Sequence, residues 1–161
     1  MVKKLSNTFS SLYLAYGSNV NPVNMKRRCP RALALGQYEL RGYEFEFRSV
    51  ANLKKSKGAF VMGVLWKITP KCEQTLDRYE EYPKVYSKKY VLDRKLQRYI
   101  MFYVLRNIRM ALRPSKQYKD CILGGYKIFG LPESQIWTAL DRLIIRGVRA
   151  SSKPAYHYDV L

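Results

Sequence analysis

The sequence predicts an α+β fold, a mostly antiparallel sheet with helices outside it, and three observations carry that expectation. Residues 37–48 alternate Tyr43, Phe45 and Phe47 with Glu44, Glu46 and Arg48, the period of a strand with one buried face. Residues 86–93 and 97–105 are aromatic-rich runs around a charged turn, Asp93-Arg94-Lys95, as two antiparallel strands would be. Thr69-Pro70, Ser115 and Pro132 each open a stretch whose apolar residues recur at three- and four-residue steps, the mark of capped amphipathic helices. At 161 residues and 47% apolar content the chain suits one domain, and a domain of that size buries roughly 70% of its unfolded surface. The expectation is a single domain over residues 1–161, with 1–10 and 151–161 as tails.

In order along the chain, residues 11–16 read as a buried strand, and Asn21-Pro22 supplies the cap and first-turn proline of a short helix reaching about Cys29, with Pro30 stopping it. After the strand at 37–48, the Lys-rich residues 52–57 and Gly58 read as an exposed hairpin or mobile loop leading into an apolar strand at 59–68. Cys72, Leu76 and Tyr79 form the apolar stripe of the helix opened by Thr69-Pro70, which Pro83 ends soon after Glu80. The two aromatic strands follow, giving five or six in all. Ser115 then caps a helix with Tyr118, Cys121, Ile122 and Gly125 on one face, and Pro132 opens another with Ile136, Trp137, Leu140, Leu143 and Ile144, closed by Gly147.

Charge and cysteine usage narrow the classes of protein. Thirty Lys and Arg against twelve Asp and Glu give a formal charge of +18, an excess that attracts nucleic acid or another polyanion without sequence specificity and weakens steeply with salt. Basic clusters such as Lys26-Arg27-Arg28 and Lys88-Lys89 are spread along the chain and read as a soluble surface. The longest apolar run, residues 59–66, is too short to span a membrane, and Lys3-Lys4 precedes no apolar leader core. Cys29, Cys72 and Cys121 are odd in number and widely spaced, which reads as buried free thiols in a reducing, cytoplasmic setting. With one histidine, His157, and scattered cysteines, neither a zinc site nor a Ser18 triad is expected.

Leu12-Tyr13-Leu14-Ala15-Tyr16-Gly17-Ser18-Asn19 runs from an apolar strand into a small polar loop before a helix start. Such a loop lets backbone approach a ligand closely, and N–H groups left free before a helix favour anions. Two further segments follow in order: Leu76-Asp77-Arg78-Tyr79-Glu80-Glu81-Tyr82-Pro83, then Pro114-Ser115-Lys116-Gln117-Tyr118 before Gly130-Leu131-Pro132. Together they resemble the gamma-glutamylcyclotransferase family, over roughly residues 11–140. The family's glycine after its glutamate is Glu81 here.

The resemblance implies a mixed, mostly antiparallel sheet closing toward a small β-barrel, with peripheral helices. It also implies a reaction: the α-amine of a γ-glutamyl compound attacks its own side-chain carbonyl, forming 5-oxoproline and releasing an amine. Glu80 matches the catalytic general acid/base; Tyr13, Leu14, Ala15, Tyr16, Gly17, Ser18 and Asn19 match the substrate loop; Tyr118 matches the pocket tyrosine, and Tyr86 the tyrosine after the glutamate. No cofactor or metal is implied. A carboxylate at a helix C-terminus, shielded by Tyr79, Tyr82 and Pro83, has its pKa raised toward the value an amine-deprotonating base needs. Glu81 is the rival base. The competing reading is a basic binding module for nucleic acid or an acidic partner, with the pocket impaired.

Overall fold

The computed structural model describes residues 11–107 and 110–147. Its central strand is the apolar run that the sequence singles out, β1 (Ser11–Ala15), where Leu12, Tyr13, Leu14 and Ala15 are all buried. Such a continuous apolar strand needs cover on both faces and a neighbour on both edges. β2 (Leu33–Phe47) and β3 (Ala51–Ile68) form a long antiparallel hairpin, and β4 (Tyr86–Asp93) and β5 (Arg98–Leu105) a short one. β1 joins them, antiparallel to β3 and parallel to β5, so the order is β2-β3-β1-β5-β4.

The sheet does not close into a barrel. β2 and β4 are its two edges, and among the described residues no main-chain ladder joins them. Closure requires matched edges at a consistent tilt and stagger, whereas β2 has 15 residues against 8 in β4. Side chains make the contact instead. The Tyr38 hydroxyl donates to Asp93 Oδ2 at 2.9 Å, and the Tyr43 ring meets Phe102 of β5 edge-on at 5.3 Å between centroids.

Residues 52–57 are strand, not loop. The chain reverses earlier, at Arg48-Ser49-Val50, where Ser49 takes a φ of 66° and the Arg48 N–H donates to the Val50 carbonyl at 2.8 Å. Within this stretch Lys54 and Asn52 lie across the antiparallel pair from acids of β2, and Lys55 lies across from Tyr43. Lys54 sits opposite Glu44 with Nζ 3.6 Å from Oε1, and Asn52 Nδ2 donates to Glu46 Oε1 at 2.8 Å. Alternation with buried Ala51 and Leu53 is the underlying strand signal. Gly58, at φ 82°, lies where the pairing slips between Arg41 and Tyr43.

Three helix caps fall where the sequence put them, while the last helix starts after Glu133 with no side-chain cap bond. Asn21 Oδ1 accepts from the Val23 N–H (3.0 Å) to start α1 (Pro22–Arg28), Thr69 Oγ1 from Cys72 (3.1 Å) to start α2 (Pro70–Tyr79), and Ser115 Oγ from Tyr118 (3.2 Å) to start α3 (Lys116–Phe129). In α4 (Ser134–Ile145) the buried stripe is Ile136, Ala139 and Leu143, so Trp137 and Ile144 turn outward rather than joining it. Lys88 holds α2 to the short hairpin, with Nζ 2.6 Å from Glu73 Oε1 and 2.8 Å from Asp77 Oδ1, while the Tyr103 hydroxyl donates to Asp77 at 2.6 Å. Cys29 and Cys72 are buried and Cys121 half-buried, all free thiols. Among the described residues no helix is long and apolar enough to cross a membrane. His157 and the segments 1–10 and 151–161 lie outside the described residues.

α3 seats against the turn that precedes α1 through Gly125, where an added Cβ would fall 2.7 Å from the Asn21 nitrogen and 2.8 Å from Val20 C. In an open helix Gly→Ala stabilises by about 1 kcal/mol. Here Gly125→Ala should do the opposite, because both obstructing atoms are backbone, and destabilise the chain by about 1–3 kcal/mol. Thermal or urea unfolding of the variant reads the sign directly.

Candidate active site

The site forms where β1 leaves the sheet. Beyond Ala15 the Tyr16 hydroxyl donates to the Tyr103 carbonyl at 2.6 Å, and the chain then turns at Gly17 into a short 3-10 turn (Ser18–Val20). Gly17 is needed for space: a Cβ there would lie 3.0 Å from Ala51 Cβ and 3.3 Å from the Tyr118 hydroxyl. Tyr118 reaches over from α3 and accepts from the Ala51 N–H at 3.1 Å, tying the helix, the β2–β3 hairpin and the loop together. The Val20 and Asn21 N–H groups donate back to the Gly17 and Ser18 carbonyls (3.0 and 3.2 Å). Among the described residues no protein acceptor takes the N–H of Gly17, Ser18 or Asn19, the free donors expected where such a turn begins.

Glu80 faces this loop. It caps the C-terminus of α2, its N–H donating to the Leu76 carbonyl at 2.8 Å, and it is only 9% exposed. Asn19 Nδ2 donates to Glu80 Oε1 at 3.3 Å and to the Tyr13 hydroxyl at 2.9 Å. Burial pushes the Glu80 carboxyl up to about 7, and the Arg28 guanidinium pulls the other way. Arg28, 8% exposed, donates through Nη1 to Asn19 Oδ1 and to Ser18 Oγ (3.4 Å) and lies 3.4 Å over the Tyr79 ring. Of the shielding groups expected from the sequence, Tyr82 does not serve: it is 41% exposed, with its ring 4.8 Å from Lys88 Nζ.

Glu81 is exposed and takes a φ of 48°, the left-handed region that favours glycine. The backbone at this position therefore keeps the conformation a glycine would adopt, and the rival base does not line the pocket. The pocket, about 310 Å³ with the solvent at its mouth included, is lined by Tyr13, Tyr16, Gly17, Ser18, Asn19, Glu80, Tyr86 and Tyr118, together with Ala51 and Tyr103. Leu14 and Ala15 are not part of it; they are buried in the sheet opposite Leu65 and Val64. Burial also raises the Tyr13, Tyr103 and Tyr118 hydroxyls above the usual phenol range.

Sequence reasoning missed Ala51, Tyr103 and Arg28. Arg28 sits within a basic run, yet helix periodicity holds a signal for it. It follows buried Asn24 and Met25 by four and three residues, whereas Lys26 and Arg27 fall on the exposed side.

The model of the AIG2-like family matches residues 60–138. A solved structure of a gamma-glutamyl cyclotransferase shares the fold at a TM-score of 0.68 and 24% identity, over 92% of this chain and 94% of that one. An uncharacterized Homo sapiens protein, loc79017, does so at 0.67 and 24% identity over the same shares. YkqA from Bacillus subtilis superposes at 0.67 and 18% identity, over 88% of this chain and 56% of its own. No curated protein sequence matches.

Two stability measurements follow from this geometry and need no substrate. In the unfolded chain a glutamate titrates near ~4.3, below the value of about 7 in the fold, so the folded chain retains a proton that the unfolded chain has lost. Stability should fall as pH rises through that window, with the whole penalty present above pH 7. Glu80→Gln should therefore stabilise the protein at pH 8 by up to roughly 3 kcal/mol and change little at pH 4. Glu81→Gly should relieve the left-handed strain and raise stability by about 1 kcal/mol, less the entropy that glycine adds to the unfolded chain; urea midpoints at fixed pH test it.

Proposed function

We propose that the chain, whose residues 60–138 match the AIG2-like family model and whose fold resembles that of a solved gamma-glutamyl cyclotransferase, is itself a γ-glutamyl cyclotransferase. One observation carries the proposal: a buried carboxylate, Glu80, held near neutrality opposite a loop whose N–H groups have no protein acceptor among the described residues. The first task of the reaction is to deprotonate an ammonium group, and a base whose own pKa lies near 7 does this better than an ordinary carboxylate. Glu80 takes the ammonium proton and releases it to solvent, then takes a second proton from the α-nitrogen as that nitrogen attacks the γ-carbonyl carbon and a tetrahedral oxyanion forms. The carbon–nitrogen bond to the leaving amine then breaks as Glu80 returns the proton to that nitrogen.

The loop Gly17, Ser18 and Asn19 suits the negative charges of the substrate, its α-carboxylate and the transient oxyanion. One such donor is worth on the order of 3 kcal/mol in the barrier. The tyrosines Tyr13, Tyr16, Tyr86 and Tyr118 would close around the glutamyl carbon chain and keep water from the carbonyl.

The test is to incubate the protein with a panel of γ-glutamyl amino acids and amines and follow 5-oxoproline by mass spectrometry. Product is expected, and Glu80→Gln should lower kcat by about 10²–10⁴-fold with the fold intact. The acidic limb of kcat/KM should turn near pH 7, since Glu80 must be ionised to act. Silence across the panel from folded protein, or unchanged turnover in Glu80→Gln, would overturn the reading.

A further inference from the structure

Resting on the function just proposed, we propose that Arg28 is a positioning residue for Glu80, acting through the Asn19 carboxamide. Arg28 is a buried cation without a carboxylate in ion-pair contact among the described residues. That is an expensive arrangement, because buried charges are ordinarily paired. Its Nη2 has no hydrogen-bond partner, while Nη1 is committed to Asn19 Oδ1 and Ser18 Oγ, and the guanidinium carbon lies 3.4 Å over the Tyr79 ring. A strut needed only for packing would be better served by an apolar side chain of the same length.

The consequence for Asn19 is orientational. A carboxamide has a donor end and an acceptor end of nearly equal shape, and only its partners decide which way it faces. With Oδ1 held by guanidinium donors, Nδ2 must turn to the other side, where it donates to Tyr13 and to Glu80 Oε1. The amide therefore transmits the cation to the carboxylate as a hydrogen bond, and it keeps the two charges one residue apart. A direct ion pair would hold Glu80 firmly ionised, whereas no cation at all would leave it to desolvation alone.

Besides Tyr86 of β4, which lines the same pocket, the titratable groups that face Glu80 are the hydroxyls of Tyr13 of β1, Tyr79 of α2, Tyr103 of β5 and Tyr118 of α3. Burial raises all four, so they are neutral wherever Glu80 titrates. The Cys121 thiol, which faces Arg28, is also raised by burial. Arg28 on α1 is thus the charge that acts on Glu80 among the described residues.

The experiment is a carboxyl ¹³C NMR titration of Glu80 without substrate, the resonance assigned by its loss in Glu80→Gln. Arg28→Met and Asn19→Ala should each move the Glu80 midpoint upward, by about one unit, and the double variant should move it no further than the larger single shift. Arg28→Lys keeps the charge but loses the fork and the stack, and should give a smaller upward shift; it also serves if Arg28→Met does not fold. An unchanged midpoint in folded Arg28 and Asn19 variants, or strictly additive shifts, would overturn the proposal. The readout is independent of turnover. Failure to form 5-oxoproline would remove the proposed reaction while leaving this titration to be judged alone, and normal turnover with unmoved midpoints would remove only the role of Arg28.

Discussion

The desolvation of one carboxylate is the constraint around which the structure is arranged. Removing Glu80 from water costs more than any single contact it makes returns, since its hydrogen bond from Asn19 is long and its nearest cation is a residue away. The arrangement survives only because each wall of the pocket is anchored elsewhere. Lys88, Glu73 and Asp77 clamp α2 to the short hairpin, Tyr118 clamps α3 to Ala51, and the Tyr126 hydroxyl, donating to the Tyr16 carbonyl at 3.2 Å, clamps α3 to the end of β1. The instability is local, and the support is distributed over every strand but β2.

The central position of β1 follows from the same requirement. A strand that pairs on both edges delivers its C-terminal loop to the middle of the fold, where walls from β3, β5, α2 and α3 can converge. An open sheet serves this purpose as well as a barrel would. Its edges meet through Tyr38 and Asp93, so the curvature that forms the pocket needs no continuous ladder.

The charge of +18 has a different logic from the site. Much of the acid content is spent structurally: Glu44 holds Lys54 and Arg142, Glu46 holds Arg48, and Glu73 and Asp77 hold Lys88. What remains exposed is largely cationic. Exposed pairs such as Lys116 with Asp120 add little stability, and the excess positive field opposes self-association while drawing any polyanion nearby. A γ-glutamyl substrate carrying net negative charge would share in that attraction, and its association would weaken with ionic strength.

The sequence by itself determined the features that depend on neighbours in the chain. Asn21, Thr69 and Ser115 cap helices because capping is a bond across two or three residues, and the alternation of Tyr43, Phe45 and Phe47 with charged residues specifies a strand because side-chain direction repeats every second residue. The Gly17-Ser18-Asn19 loop and Glu80 were legible for the same reason, as short motifs in order. Only the tertiary structure decided the rest. Whether residues 52–57 are loop or strand depends on the acids of β2 across the pair; whether the sheet closes depends on the unequal lengths of its two edges; and whether Glu80 or Glu81 is buried depends on a left-handed turn at the end of α2. Arg28 is the clearest case, for a cation in a basic run becomes a buried partner of the site only when α1, α2 and the loop after β1 meet. Burial and long-range electrostatics are properties of the packed molecule, and no local window of the chain contains them.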